Sequence, residues 1–111
     1  MPGTVRLKAE VSDRLIGLAV GERWSGNRQG WIASLAVHPD YQRRGIGKRL
    51  LEACEQALGT SRIRLTVRVS NRAAIELYRG SAYAPVEVWR RYYSDGEDAQ
   101  VMEKDRRIAG G

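Results

Sequence analysis

Val5, Leu7, Ala9 and Val11 alternate with polar residues, and the break "SDR" leads into the apolar stretch "LIGLAVGERW". Alternation before a polar break and an apolar stretch after it predict two strands joined as a hairpin. The turn "WSGNRQG" supplies Gly and Asn where positive φ is needed. "WIASLAVHP" is then nearly continuous in its apolar residues, the pattern of a central strand covered on both faces, and Pro39 ends it. From Ile46 the period changes. Ile46, Leu50, Leu51, Cys54, Ala57 and Leu58 recur at three- and four-residue spacing, with Lys48, Arg49, Glu52 and Glu55 opposite, which predicts a helix that Gly59 caps. Alternation returns in "RIRLTVRVS": Ile63, Leu65, Val67 and Val69 face one side, and Arg64, Thr66 and Arg68 face the other. Asn71 is placed to cap a second helix through "RAAIELYRG". Two further strands, about Pro85 to Tyr93 and Gln100 to Asp105, flank the turn "SDGED".

The resulting order, β-β-β-α-β-α-β-β, describes an α/β chain with a mixed central sheet. The strand, helix, strand unit in its middle is expected to be a right-handed crossover between parallel neighbours. Residues 1–105 form one domain in this reading, and 106–111, "RRIAGG", form a frayed tail.

Composition narrows the chemistry. The 111 residues, 42% hydrophobic and 29% charged, fit a single core. A single cysteine, Cys54, excludes an internal disulfide or a cysteine metal cluster, and a single histidine, His38, leaves no metal site. "MPGTVRLKAE" lacks the apolar core of a secretion signal and no run is long enough to span a bilayer, so a cytoplasmic protein with no membrane partner is expected. The net charge of +6 favours anionic partners: nucleic acid, a membrane surface, an acidic peptide or a phosphorylated cofactor. Sign alone does not choose among them, and a solvated basic surface accounts for most of the arginines.

One stretch does choose. "DYQRRGIGKRLLEACEQAL" puts two arginines and two glycines directly before the first helix. A helix start offers unpaired backbone N–H groups and the positive end of the helix dipole, which together make an anion site. Gly45 and Gly47 allow a phosphate oxygen close to the backbone, and Arg43 and Arg44 add charge. Neither G-x-G-x-x-G nor G-x-x-x-x-G-K-[ST] occurs, which excludes the common dinucleotide fingerprint and the P-loop. The competing explanation is an ordinary helix start with a solubilising basic turn.

"LAVHPDYQRRGIGKRLLEACEQAL", followed one strand later by "SNRAAIELYRGSAY", resembles the acetyl-CoA-binding core of the GNAT superfamily of N-acetyltransferases. The resemblance covers about Ile16 to Met102 and implies the GNAT-like mixed sheet. It implies that Gln42, Arg43, Arg44, Gly45, Ile46 and Gly47, with Lys48, hold the pyrophosphate of acetyl-CoA. By the same resemblance Leu35, Ala36 and Val37 receive the pantetheine arm along their backbone, Asn71 and Ala74 contact the cofactor, and Tyr78 faces the thioester sulfur. "VRVSNRAAIELYRGSAY" with "RRYYSDGEDAQVM" is similar to the protein N-terminal α-amino acetyltransferases, the RimI-like ones in particular. Tyr92 and Tyr93 then match a tyrosine pair lining a peptide groove; the alternative is an exposed aromatic pair on an edge strand.

Three departures qualify the likeness. The family places a strand and two helices before the hairpin, and this chain begins close to the hairpin, so an open acceptor groove, or one closed by a second subunit, is expected. Thr66 stands where RimI-like enzymes carry a Glu base, and Trp31 stands where other members have one. Ala82 and Tyr83 replace the family's usual Gly and Phe, which implies a costlier backbone at Ala82.

The resemblance thus implies acetyl transfer to a primary amine, with Tyr78 as general acid and a water relay through Thr66, Ser34 or Tyr93 taking the amine proton. An α-amine, with a pKa near 8, is about one-tenth neutral at pH 7, whereas a lysine amine near 10.4 needs a stronger base. A peptide N-terminus or a small amine of low pKa is therefore the expected acceptor. His38 reads as structural or solvent-facing rather than catalytic. The rival functions are a non-catalytic acetyl-CoA sensor or subunit and, ranked lower, a basic nucleic-acid-associated protein. A homodimer is expected from the apolar surface that absent helices would leave.

Overall fold

In the computed structural model, which describes residues 3–24 and 28–106, the predicted hairpin is formed by β1 (Thr4–Val11) and β2 (Arg14–Trp24). Ser12 and Asp13 turn it with φ of 48° and 66°, both in the left-handed region that a tight hairpin needs. Of the turn "WSGNRQG", residues 25–27 lie outside the described residues.

β3 (Gln29–Val37) pairs antiparallel with β2, and α1 (Ile46–Leu58) returns the chain to β4 (Arg62–Arg68), parallel to β3. α2 (Arg72–Gly80) then leads to β5 (Ala84–Trp89) and β6 (Ala99–Asp105). The six strands form one sheet in the order β1-β2-β3-β4-β6-β5, so β6 is inserted between β4 and β5. Because both crossovers, β3-α1-β4 and β4-α2-β5, run between parallel strands in the same direction across the sheet, right-handedness puts both helices on one face.

That face carries the core. Leu50, Leu51, Cys54 and Leu58 of α1 pack with Ala19, Ile32, Ile63, Leu65, Val67 and Met102 of the sheet, and Tyr78 of α2 joins the same cluster. α1 can approach because Gly17 and Gly21 of β2 lack side chains: a Cβ would lie 2.7 Å from Leu50 and 2.8 Å from the sulfur of Cys54 respectively. Gly59 caps α1 in the left-handed conformation, its N–H donating to the carbonyl of Glu55.

Three expectations need correction. β3 is not covered on both faces, for Ala33, Ser34 and Ala36 are exposed; the helix-free face of this strand is lined by small residues over that half. The strand expected to run to Tyr93 stops at Trp89, and Arg91 takes φ +50°, so Tyr92 and Tyr93 sit in a loop. Arg106, the first residue of the expected frayed tail, is tied down: its guanidinium donates to the carbonyls of Glu55 and Thr60 at 3.1 and 3.2 Å. Residues 107–111 lie outside the described residues.

Candidate active site

β3 and β4 do not stay together. Their parallel register runs from Gln29↔Arg62 to Ile32↔Leu65 and goes no further, although β3 continues to Val37 and β4 to Arg68. The parting coincides with a bulge: Val20 faces Ser34 and Gly21 faces Ile32, so Ala33 is the extra residue. Beyond it, antiparallel alternation turns the backbone groups of Ser34, Ala36 and His38 toward β2, as the 2.7 Å bond from His38 N–H to the Ile16 carbonyl displays. The groups of Leu35 and Val37 point into the opening. Gln42 Nε2 donates to the Val37 carbonyl at 2.9 Å, which ties the glycine turn to the strand.

The opening is a cleft of about 400 Å³ lined by Leu35, Val37, Gln42, Arg43, Gly47, Asn71, Ala73, Ala74, Leu77 and Tyr78. Three separate stretches meet there: the end of β3, the start of α1, and the inner side of α2. Eight of the residues expected to meet a cofactor line it, namely Leu35, Val37, Gln42, Arg43, Gly47, Asn71, Ala74 and Tyr78. Ala73 and Leu77 had no signal beyond their helical phase.

The remaining expected residues lie elsewhere. Arg44 stacks on Tyr41, 5.2 Å from the ring centroid, Ile46 packs against the core, and Lys48 is exposed. Ala36 is exposed on β3. Thr66 and Ser34 do not line the cleft. Their neighbours in the sheet, Val101 and Val20, put both on the helix-free face.

The start of α1 is an anion site in its geometry. Gly45 is the N-cap at φ +81° and no side chain caps the helix, so the first-turn N–H groups are without an intrahelical partner. Gly47 is informative for another reason. A Cβ there would meet Leu77 at 3.5 Å and Val37 at 3.7 Å, ordinary contact distances, and alanine is the better helix former. The protein's own packing does not require glycine at 47; a ligand held against that backbone would.

At the other end of the cleft Tyr78 is 8% exposed. Burial, with a smaller contribution from Tyr93, raises its phenol above the usual value, which keeps the hydroxyl protonated as a donor. Asn71 accepts from the Ala74 N–H at 3.1 Å, capping α2 and leaving its amide nitrogen to face a ligand. His38 Nδ1 accepts from the Asp40 N–H at 3.1 Å, in keeping with a structural role at the short helical turn Pro39–Tyr41. Cys54 is fully buried and its thiol is pushed up to about 11, which removes it as a nucleophile. Among the described residues no cluster of ligands fits a metal ion.

The helix-free face is aromatic. Trp24 and Trp31 lie 5.4 Å apart, Trp31 and Trp89 5.8 Å, Trp89 and Tyr92 5.4 Å, and Tyr92 and Tyr93 5.1 Å. Ala99 and Val101 are fully buried on this face, although no helix among the described residues covers it. Arg68 holds the end of the ladder: it lies 4.2 Å from the Tyr93 ring centroid and donates to Asp95 at 2.7 Å and Glu97 at 3.0 Å. The backbone N–H of Glu97, and after it Arg68, holds the Asp95 carboxyl below its usual range, and a bond from Ser70, and after it Arg68, does the same for Glu97. The loop carrying Tyr92 and Tyr93 is thus fastened to the end of β4.

The chain is 43% identical over 79 residues to an N-alpha-acetyltransferase of Sulfurisphaera tokodaii, an alignment covering 68% of this chain and 47% of that protein. It spans about half the length of the curated relatives it matches first. Among solved structures it superposes on the ribosomal-protein-S18-alanine N-acetyltransferase of Escherichia coli with a TM-score of 0.81 at 31% identity, over 93% of this chain and 69% of that one. A NatC complex bound to Gag peptide and CoA matches with a TM-score of 0.78 at 29% identity, over 88% and 65%. The sequence profile of the acetyltransferase (GNAT) family matches residues 2–83, and with the sheet that parts at Ala33 and the glycine turn on α1, this chain belongs to that family.

Proposed function

We propose that this chain carries acetyl transfer from acetyl-CoA to a primary amine, and that the acceptor is a peptide N-terminal α-amine. One observation carries the reading: the cleft at the parting of β3 and β4 has an uncapped helix start at one end and the buried phenol of Tyr78 at the other. The donors of the α1 turn, with Arg43 and Gln42, suit the pyrophosphate. The edge of Leu35 and Val37 that faces the cleft suits a pantetheine amide chain lying as a short extra strand.

The bound thioester supplies the activated acetyl group; the chain's residues orient and protonate. A neutral amine forms the new N–C bond as the C–S bond breaks, and the β3 edge can offer an N–H to the oxygen on which charge develops. The Tyr78 hydroxyl is placed to give its proton to the departing thiolate and to be reprotonated as the amine loses its own. The cleft lining contains no carboxylate and no imidazole to take that amine proton. An α-amine near pKa 8 tolerates this, because about a tenth of it is neutral at pH 7. Tyr93, whose charge contributes to raising Tyr78, can relay it through water; Thr66 and Ser34, on the open face of the sheet, are not among the cleft lining.

The missing base also favours a second reading, a sensor or subunit that binds acetyl-CoA without transfer. Calorimetry with acetyl-CoA, on the parent chain and Gly47→Trp, followed by turnover on peptides with free N-terminal Ala, Ser or Met and on free lysine, separates them. Micromolar binding lost in the variant, with turnover on a peptide, supports the enzyme; binding without turnover on any amine supports the sensor. No binding by the parent overturns both.

We further propose a homodimer, supported by the exposed Trp24 and Tyr92 on the helix-free face, with sedimentation as its test: a strict monomer at high concentration refutes it. Among the described residues no helix is long and apolar enough to cross a membrane, and the free buried Cys54 suits a reducing compartment, so the proposed location is the cytoplasm. Salt-dependent RNA or DNA binding indifferent to CoA would instead favour the basic-surface alternative.

A further inference from the structure

Behind Tyr78, on the side away from the cleft, lies a buried polar cluster that the reaction as described does not use. Glu55 of α1 is 4% exposed, and each of its carboxylate oxygens holds one partner. The Tyr83 hydroxyl donates to Oε2 at 2.8 Å, and Lys104 Nζ of β6 donates to Oε1 at 2.9 Å. Tyr83 is 3% exposed, and its phenol is raised far above the usual range, by burial first and by Glu55 second, so it remains a donor at every working pH.

Tyr83 is also locked to Tyr78. Its N–H donates to the Tyr78 carbonyl at 3.0 Å, closing the end of α2, and the two rings meet edge to face with centroids 5.9 Å apart. A phenylalanine would keep the ring contact and the backbone bond. The hydroxyl is the part of Tyr83 that hydrogen-bonds α1.

On the reading that Tyr78 protonates the thiolate, we propose that Tyr83 is a positioning residue for it, acting through the Tyr83–Glu55 hydrogen bond. The physical need is a fixed span. The pyrophosphate turn sits at the start of α1 and Tyr78 in the last turn of α2, while the cofactor between them has a set length. The Glu55 bond joins the two helices on the far side of the core and holds that span. Losing the hydroxyl leaves Glu55 Oε2 buried without its donor, a state the structure relieves by shifting α2.

The test is a double-mutant cycle with acetyl-CoA and the fastest peptide of the panel above. Tyr83→Phe should lower kcat about tenfold, the scale expected for a slight misplacement of a reacting group. The calorimetric Kd for acetyl-CoA should stay within about twofold, since the lining of the cleft is untouched. A looser Tyr78 is a less buried Tyr78, so its raised phenol falls and the alkaline limb of kcat should move to lower pH. In a Tyr78→Phe background Tyr83→Phe should change kcat no further. An equal loss in that background, or no loss in the parent, overturns the proposal. If Tyr83→Phe melts below the assay temperature, Glu55→Gln, which keeps the volume and weakens the acceptor, is taken through the same cycle with a smaller expected loss and the same overturning results. A slow Tyr78→Phe beside a full-speed Tyr83→Phe would sink the positioning role alone. A Tyr78→Phe at full speed would sink the proton-donor reading and the positioning role with it.

Discussion

The two faces of the sheet are built by different rules. On the helix-covered face the cleft is made of short contiguous stretches, residues 35–37, 42–47 and 71–78, and its main donors are backbone groups at a helix start. On the open face, Trp24, Trp31, Trp89, Tyr92 and Tyr93 come from three strands and a loop and meet only through strand register and the curl of the sheet. Backbone donors at a glycine turn need little from the rest of the fold beyond a helix to stand on. An aromatic wall needs every strand in place. On the proposed reading, with the cofactor in the cleft and the acceptor against the aromatic face, the cleft should therefore fail abruptly at single positions, while the aromatic face, the acceptor end, should weaken by degrees.

Tyr78→Phe should show the sharpest failure. It removes the one hydroxyl at the buried end of the cleft and keeps the ring in the core. We expect kcat to fall by about two orders of magnitude or more while acetyl-CoA affinity holds. Equal losses in binding and turnover would show that the ring's packing mattered and the proton did not.

Gly47→Ala should come next. Its Cβ has room among Leu77 and Val37, so thermal stability should be unchanged or slightly raised, while acetyl-CoA affinity falls about tenfold or more. Calorimetry and a melting curve on the same sample decide it. A lower melting temperature with unchanged affinity would mean the glycine serves the fold, and the proposed cofactor end would lose its strongest support.

At the acceptor end the expected effects are smaller. Arg68→Met frees the loop that carries Tyr93 from β4, and the KM for a peptide acceptor should rise a few-fold with the Kd for acetyl-CoA unchanged. The pH dependence has a definite sign. The carboxyls of Asp95 and Glu97 are held lower in the folded chain than in the unfolded one. Their contribution is therefore present above the ordinary carboxylate range and is lost as pH falls through their depressed values. Expressed per neutral amine, acceptor KM in the parent should rise only on that acid side, and that rise should be absent in Arg68→Met, while the part due to protonation of the amine itself stays the same in both.

The same contrast explains what was legible in the sequence. The helix periods, the alternation of β4 and the glycine turn are local patterns, and the structure keeps them. Of the eight expected residues that line the cleft, Gln42, Arg43, Gly47, Asn71, Ala74 and Tyr78 sit at fixed offsets from two helix starts, and Leu35 and Val37 come from the end of β3. The bulge at Ala33, which parts β3 from β4, has no side-chain signature, since "ASLA" reads equally well as continuous strand. Tyr92 and Tyr93 read as strand because nothing before them marks the left-handed turn at Arg91. Thr66 could be assigned a face by alternation, but not its separation from the cleft. The Glu55–Tyr83–Lys104 cluster joins three elements far apart in the chain. Glu55 reads from the pattern as a solvent-facing helix residue, and only packing reveals it as buried.

Ala82 is where a sequence-level suspicion became a measurable geometry. Ala82 adopts φ +74° after the end of α2, its N–H bonds the Arg79 carbonyl at 3.1 Å, and Tyr83 N–H reaches back to Tyr78. This is a Schellman motif with alanine at the left-handed position where glycine is favoured, and an L side chain there costs about 1 kcal/mol. Ala82→Gly removes that strain at the expense of extra freedom in the unfolded chain, so the net gain should be no more than about 1 kcal/mol. For a domain of this size that raises the melting temperature by a few degrees. Neither face of the sheet is touched, so kcat, acceptor KM and acetyl-CoA affinity should all stay at parental values. A stabilised Ala82→Gly with reduced kcat would instead mean that the strained cap itself holds Tyr78 in place, and the hydroxyl of Tyr83 would then share the positioning with the backbone beside it.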